Sequence, residues 1–329
     1  MQHLKGYTIF KQRFIIIISM LFCCLPAHAQ TDSLATGIDK KSFIYAVKDS
    51  SSLGLDVYQK DGSSISSKRP CVIFVFGGAF MAGRRDDTVY RKYFYTLAQQ
   101  GYVVASISYR LGLKGVKHVS VLHTAPLTNA IDMAVDDIYD ATNWLIVNAS
   151  ELGIDTSLMV LSGSSAGAVA VLQADFYKRN SLPLTSQLSP SFQYAGVMAF
   201  SGAIFSNKGK IKYSTPPAPT LFFYGTRDRI MPYNKIQLFK RGLYGSSYLA
   251  KIFKEQGDAY YIYRAENLGH EMAVVPMVTQ LPVILDFLDR FVVQKKAFQI
   301  DITCKDPDEK PMLTISASKL FKKLQTIKN

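Results

Sequence analysis

Histidine is scarce in this 329-residue chain, with five in all, and only His118, His123 and His270 lie beyond residue 29. Cysteine is scarcer still. Of the four, Cys23 and Cys24 sit in the N-terminal segment, which leaves Cys71 and Cys304, too few for a disulfide framework. Cys71 falls in a continuous apolar run and reads as a buried free thiol, although pairing with Cys304 stays open. Acidic residues are also short, 25 against 38 basic ones, for a net charge of +13. That excess does not indicate a nucleic-acid partner, because lysines such as Lys208, Lys210, Lys212, Lys319, Lys322 and Lys323 are scattered without a recognisable binding motif. Internal repeats are missing, which excludes solenoid architectures. The apolar run Phe14 to Leu25 is twelve residues long, short of the ~20 that a membrane-spanning helix needs. No span is expected in the mature chain.

The N-terminus carries a different signal. Lys5, Lys11 and Arg13 precede that apolar run, and Ala27-His28-Ala29 follows it, the pattern of a signal peptide cleaved near Ala29. A periplasmic or secreted location is expected. Loss of the three basic residues lowers the net charge from +13 to +10. The remainder reads as a linker (30–41), one catalytic domain (42–294) and a basic, mixed-charge C-terminal tail (295–329). The oligomeric state is left open.

Within 42–294 strand and helix patterns alternate, the mark of a doubly wound, mostly parallel sheet with helices on both faces. Strands are predicted over Phe43–Val47, Leu53–Tyr58, Cys71–Phe76, Tyr102–Tyr109, Leu158–Ser162, Tyr194–Phe200, Thr220–Tyr224 and Ala259–Tyr263, eight in total. Helices are predicted over Thr88–Gln99, Pro126–Asn148, Ala166–Tyr177 and Pro276–Val293, with helical segments between Met231 and Gln256. The long connection Leu111–Ala125 is expected at the rim of a site.

The central motif is Gly163-Ser164-Ser165-Ala166-Gly167. A serine at the middle of G-x-S-x-G, between a short buried strand and a helix, is a nucleophile elbow. A hydroxyl is a poor nucleophile at neutral pH, so it needs a base and a carboxylate to orient that base. His270 is the only histidine after Ser165, in Leu268-Gly269-His270, and Asp228 directly follows the strand Thr220–Tyr224. Glu266 ranks second as the acid, and Asp258 precedes its strand and so falls at the wrong sheet edge. Ser165, Asp228 and His270 are the candidate triad, and the neighbouring Ser164 is expected to be dispensable. Backbone N–H groups must also meet the oxyanion formed on attack. Ala166 is one candidate, and the loop Phe76-Gly77-Gly78-Ala79-Phe80 offers those of Gly78 and Ala79. Phe80, Phe205, Tyr213 and Tyr233 fall in loops where they would line a substrate pocket, although packing is the commoner fate of such residues. Neither a metal nor an organic cofactor is implied.

Taken with Tyr109-Arg110-Leu111, Ala134-Val135-Asp136-Asp137, Gly153-Ile154-Asp155 and Gly225 to Asp228, these motifs resemble the bacterial carboxylesterase/lipase branch of the α/β-hydrolases, similar to hormone-sensitive-lipase-like and feruloyl-esterase-like enzymes. The resemblance runs from about Phe43 to Arg290. It implies an eight-stranded α/β-hydrolase fold, ester hydrolysis through an acyl-enzyme, and a structural pairing of Arg110 with Asp137. Two positions depart from the family pattern: Phe76 stands for its usual His, and Ala79 for its third Gly. Acylated polysaccharide is one expected substrate class. A serine peptidase of aminopeptidase type and a catalytically silent binding protein of the same fold remain alternatives.

Overall fold

The computed structural model describes residues 37–62, 67–116 and 123–306. The signal segment expected at 1–29, the first part of the linker and the tail beyond 306 lie outside the described residues. The elements run β1 (Ile38–Lys48), β2 (Ser51–Lys60), β3 (Arg69–Val75), α1 (Arg91–Gln99), β4 (Val103–Ile107), α2 (Ala125–Val147), α3 (Ala149–Leu152), β5 (Ile154–Ser164), α4 (Ala166–Arg179), β6 (Gly196–Phe200), β7 (Ala203–Ser206) and β8 (Thr220–Gly225). They continue as β9 (Lys235–Leu238), β10 (Arg241–Gly245), α5 (Ser246–Gln256), β11 (Tyr260–Ala265), α6 (Pro276–Thr279), α7 (Leu281–Phe287) and β12 (Gln299–Cys304).

Nine strands form one twisted sheet in the order β1-β2-β4-β3-β5-β6-β8-β11-β12. β1 and β2 are antiparallel to each other, and β2 is antiparallel to β4. Every pairing from β4 to β12 is parallel. The apolar runs explain why. Cys71–Val75 in β3 and Val103–Ala105 in β4 are fully buried, as strands covered by helices on both faces must be. The parallel strands all point the same way, so the loops after β3, β5, β8 and β11 gather at one edge, where ligands bind in sheets of this type.

The structure corrects the predicted elements in three places. The sheet has nine strands rather than eight, because Gln299–Cys304, assigned to the tail, pairs with Tyr260–Ala265. Its only inward pattern is Ile300 and Ile302, half-buried between exposed neighbours, a weak signal for an edge strand. The stretch after Met231, read as helical, folds first as the hairpin β9–β10, and only Ser246–Gln256 is helix. With β7, also unpredicted, the hairpin makes a small antiparallel sheet in the order β7-β10-β9. The closing helix breaks between α6 and α7 and ends in a widened turn, Leu288–Val293. Pro282 stands at the start of α7, where its missing N–H costs least.

Candidate active site

The elbow is built by close approach. The parallel register sets Phe74 beside Ser162 and Val75 beside Gly163, so the chain leaving β3 arrives next to Ser165. Ser165 holds φ 51° and ψ −115°, a backbone state that costs energy for a residue with a side chain. The two motif glycines permit it. A Cβ on Gly163 would lie 2.3 Å from the Gly167 carbonyl oxygen, and one on Gly167 would lie 2.1 Å from that of Val75. The turn ends directly in α4, which aims the free N–H groups of its first turn at the mouth.

The three candidate triad residues meet at this mouth. Ser165 Oγ lies 2.7 Å from His270 Nε2, and His270 Nδ1 lies 2.7 Å from Asp228 Oδ2. The other carboxylate oxygen of Asp228 accepts the N–H groups of Ile230 at 2.8 Å and Met231 at 3.0 Å. The Asp228 side chain is fully buried, and His270 is 8% exposed. The histidine is thus held in the tautomer that carries hydrogen on Nδ1 and leaves Nε2 to accept from the hydroxyl. The rival acid, Glu266, faces elsewhere and pairs with Lys305.

The loop after β3 lies against the nucleophile. A Cβ on Gly77 would sit 3.1 Å from Ser165 Cβ, so a larger residue would crowd the nucleophile. Gly78, Ala79 and Phe80 all take positive φ, at 126°, 55° and 59°. The Gly78 carbonyl turns inward to accept from Met81 and Ala82. The amides of Gly78 and Ala79 donate to no group among the described residues. Tyr109 braces the loop, donating its hydroxyl to the Phe76 carbonyl at 3.0 Å and stacking on the Phe76 ring at 4.5 Å.

A second hydroxyl pair belongs to the site and was not picked out from the sequence. Ser164 Oγ donates to the Ala273 carbonyl at 2.9 Å and lies near the Tyr90 hydroxyl. Gly77 N–H reaches Tyr90 Oη at 3.4 Å. Burial pushes the Tyr90 hydroxyl pKa up, so it stays protonated. Ser164 thus ties the elbow to the histidine loop, and Tyr90 meets the loop after β3 at Gly77. These contacts depend on tertiary approach, and no sequence motif marks them. The expectation that Ser164 is dispensable gives way to a graded one. Ser164→Ala should lower kcat on a short acyl ester about tenfold, the worth of one well-placed buried hydrogen bond, with KM little changed.

The solved structures fix the fold. Esterase 2 of Thermogutta terrifontis superposes with a TM-score of 0.57 at 20% identity, covering 81% of this chain and 97% of that one. The chain has the α/β-hydrolase fold. The BD-FAE family model matches residues 55–205, a span that includes the loop after β3 and the elbow. The cAMP-regulated D2 protein of Dictyostelium discoideum is 27% identical over 158 residues, covering 48% of this chain and 26% of that protein. Fumonisin B1 esterase of Sphingopyxis macrogoltabida is 32% identical over 141 residues, covering 43% and 23%. The chain thus spans about a quarter of the length of these two relatives.

Behind the mouth, Arg110 and Asp137 pair as the resemblance implies. Asp137 is fully buried and accepts the Arg110 backbone N–H at 2.7 Å and its Nε at 2.9 Å. Arg110 also reaches Asp136 and Asp49. Burial pushes the Asp137 carboxyl above its usual range, partly offset by its bonds to Arg110. Asp136, Asp137 and Asp140 lie close enough to share a cation, but Lys48 already reaches all three. With Lys48 and Arg110 already engaging the three carboxylates, the cluster serves as a structural brace.

A cavity of about 700 Å³ opens beside the loop after β3, lined by Arg84, Arg85, Arg110 and Lys114 together with Asp49 and Asp86. Leu111 and Lys114 of the Leu111–Ala125 connection line this cavity, but Ser165, Asp228 and His270 do not; residues 117–122 lie outside the described residues. Of the aromatic pocket candidates, Phe80 (3% exposed) and Phe205 (6%) use their rings in packing. Phe80 meets Tyr109 edge-on, and Phe205 donates its N–H to Gln173 Oε1 at 3.0 Å. Tyr233 is half-buried 5.4 Å from the Tyr224 ring, and Tyr213 packs on Phe176 and Phe253.

Both described cysteines are free, Cys71 buried and Cys304 exposed. Burial pushes the Cys71 thiol up to about 12, far from the thiolate that reacts. A thiol reagent applied to the cleaved chain should modify Cys304 at once and Cys71 only after denaturation. Prompt modification of Cys71 in the folded protein would contradict its burial.

Proposed function

We propose that this α/β-hydrolase is an exported serine esterase that cleaves carboxylic esters by two-step acyl transfer. One observation carries the reading: the unbroken hydrogen-bond chain Ser165–His270–Asp228, at 2.7 Å for each of its two links. Ser165 Oγ attacks the ester carbonyl carbon while His270 Nε2 takes its proton. The carbonyl oxygen becomes an oxyanion, which the N–H groups of Ala166, Gly78 and Ala79 stabilise. Asp228 holds the imidazolium. His270 then returns the proton to the departing alkoxide, leaving an acyl-serine. Water, deprotonated by His270, attacks the acyl carbon and releases the carboxylic acid. No step needs a metal or an organic cofactor.

Export to the periplasm or beyond rests on the N-terminal pattern ending at Ala29. Export in turn supports an extracellular ester as substrate, such as acylated polysaccharide. The esterase names of the Sphingopyxis protein and of the para-nitrobenzyl esterase of Bacillus subtilis support the ester class. An ester panel tests the reading. Acetyl, butyryl and feruloyl esters should turn over, and amino-acid p-nitroanilides should not. Preferential cleavage of the anilides would replace the esterase with a peptidase.

A further inference from the structure

We infer that the β9–β10 hairpin docks this protein on an anionic lipid surface. Phe239, at the hairpin tip, is 86% exposed, the most exposed large apolar side chain among the described residues. Ile236 (58%) and Leu238 (39%) follow on one side of β9, two residues apart and therefore on a common face. Phe239 also holds φ 53°. The two-residue turn Phe239-Lys240 needs a left-handed residue there, a position that suits Gly, Asn or Asp and costs a bulky side chain energy. A ring kept there, with little among the described residues to pack on, is placed for an external surface.

The charge around the tip is one-sided. From Asn207 to Lys254 the chain holds ten basic residues and a single carboxylate, Asp228, which His270 already engages. The Lys240 carbonyl accepts Gly209 N–H at 2.7 Å, which sets the turn carrying exposed Lys208 and Lys210 beside the tip. None of Lys208, Lys210 and Lys240 has a carboxylate partner among the described residues. Lys235 and Gln237 stand on the opposite side of β9 from Ile236 and Leu238.

An apolar tip inside a collar of lysines is the arrangement of interfacial anchors. Aliphatic and aromatic groups enter the acyl boundary, while lysine stems reach back to the headgroups. The apolar part distinguishes a lipid from an acidic polysaccharide, whose hydroxylated faces give Phe239, Ile236 and Leu238 no apolar phase to enter. Ile230, 61% exposed, lies on the turn that holds Asp228, so the docking segment is continuous in sequence with the site. Where the esterase reading holds, docking presents the Ser165 mouth to esters at that surface.

Flotation of the purified chain with vesicles tests the docking, and hydrolysis of soluble p-nitrophenyl acetate by the same samples reports separately on the fold and on the esterase reading. Partition onto phosphatidylglycerol–phosphatidylcholine vesicles should exceed that onto phosphatidylcholine alone by about tenfold or more, and should weaken as salt is raised. Phe239→Ser should lower partition about tenfold. Lys208→Gln, Lys210→Gln and Lys240→Gln together should abolish the preference for anionic vesicles. Soluble-ester turnover should stay unchanged in every variant. Failure of the parent chain to float, flotation indifferent to these substitutions, or capture by polygalacturonate in place of vesicles would overturn the proposal.

Discussion

Replacement of Ser165 by alanine is expected to lower kcat on p-nitrophenyl acetate by about 10⁵- to 10⁶-fold, the loss seen when the nucleophile of a preassembled triad is removed. The physical reason is that no other hydroxyl has the required partners. Ser164 stands one residue away, but its Oγ donates to the Ala273 carbonyl. Among the described residues, Ser165 alone reaches the imidazole. The substitution should leave the fold intact, because alanine keeps the Cβ that already occupies the strained turn. His270→Ala should cost a similar factor, and the double variant little more, since the two residues act as a unit. Losses that multiply would mean that the serine and the histidine work independently.

Asp137→Ala is expected to cost about 3–5 kcal/mol of folding stability, because it leaves a largely buried guanidinium without its innermost partner. A denaturant midpoint measures this directly. The damage should also reach the site. Asp137 fixes the Arg110 backbone, the next residue back is Tyr109, and its hydroxyl holds the Phe76 carbonyl at the root of the Gly77–Gly78 loop. A fall in kcat with little change in KM is therefore expected in whatever fraction stays folded. A midpoint within about 0.5 kcal/mol of the parent, the range of an ordinary surface substitution, would remove the brace.

Much of this was legible in the sequence because chemistry and topology reinforce one another there. The serine, the carboxylate and the histidine each follow an apolar run by a few residues. In a parallel sheet such positions share one edge, and the structure brings the three side chains within hydrogen-bond reach. The Arg110–Asp137 pair came from resemblance, and its geometry agrees. What escaped lacks local signals. The Ser164–Ala273 bond joins residues 109 positions apart through loops whose approach only tertiary structure decides. The β9–β10 hairpin was read as helix because Lys235–Arg241 has too few alternating positions to separate the two periods. Its partner β7 is four residues long. β12 hides in a charged stretch because an edge strand buries little and has no need of a strong apolar pattern.

The most direct measurement is covalent. A fluorophosphonate reacts only with a serine whose proton is removed and whose oxyanion is held, so it reports nucleophile, base and oxyanion donors together. Peptide mapping after labelling should place a single adduct on Ser165. Labelling should vanish in Ser165→Ala and fall steeply in His270→Ala, while Ser164→Ala still labels. A properly folded parent protein that takes up no probe, or one labelled at another serine, would contradict the triad.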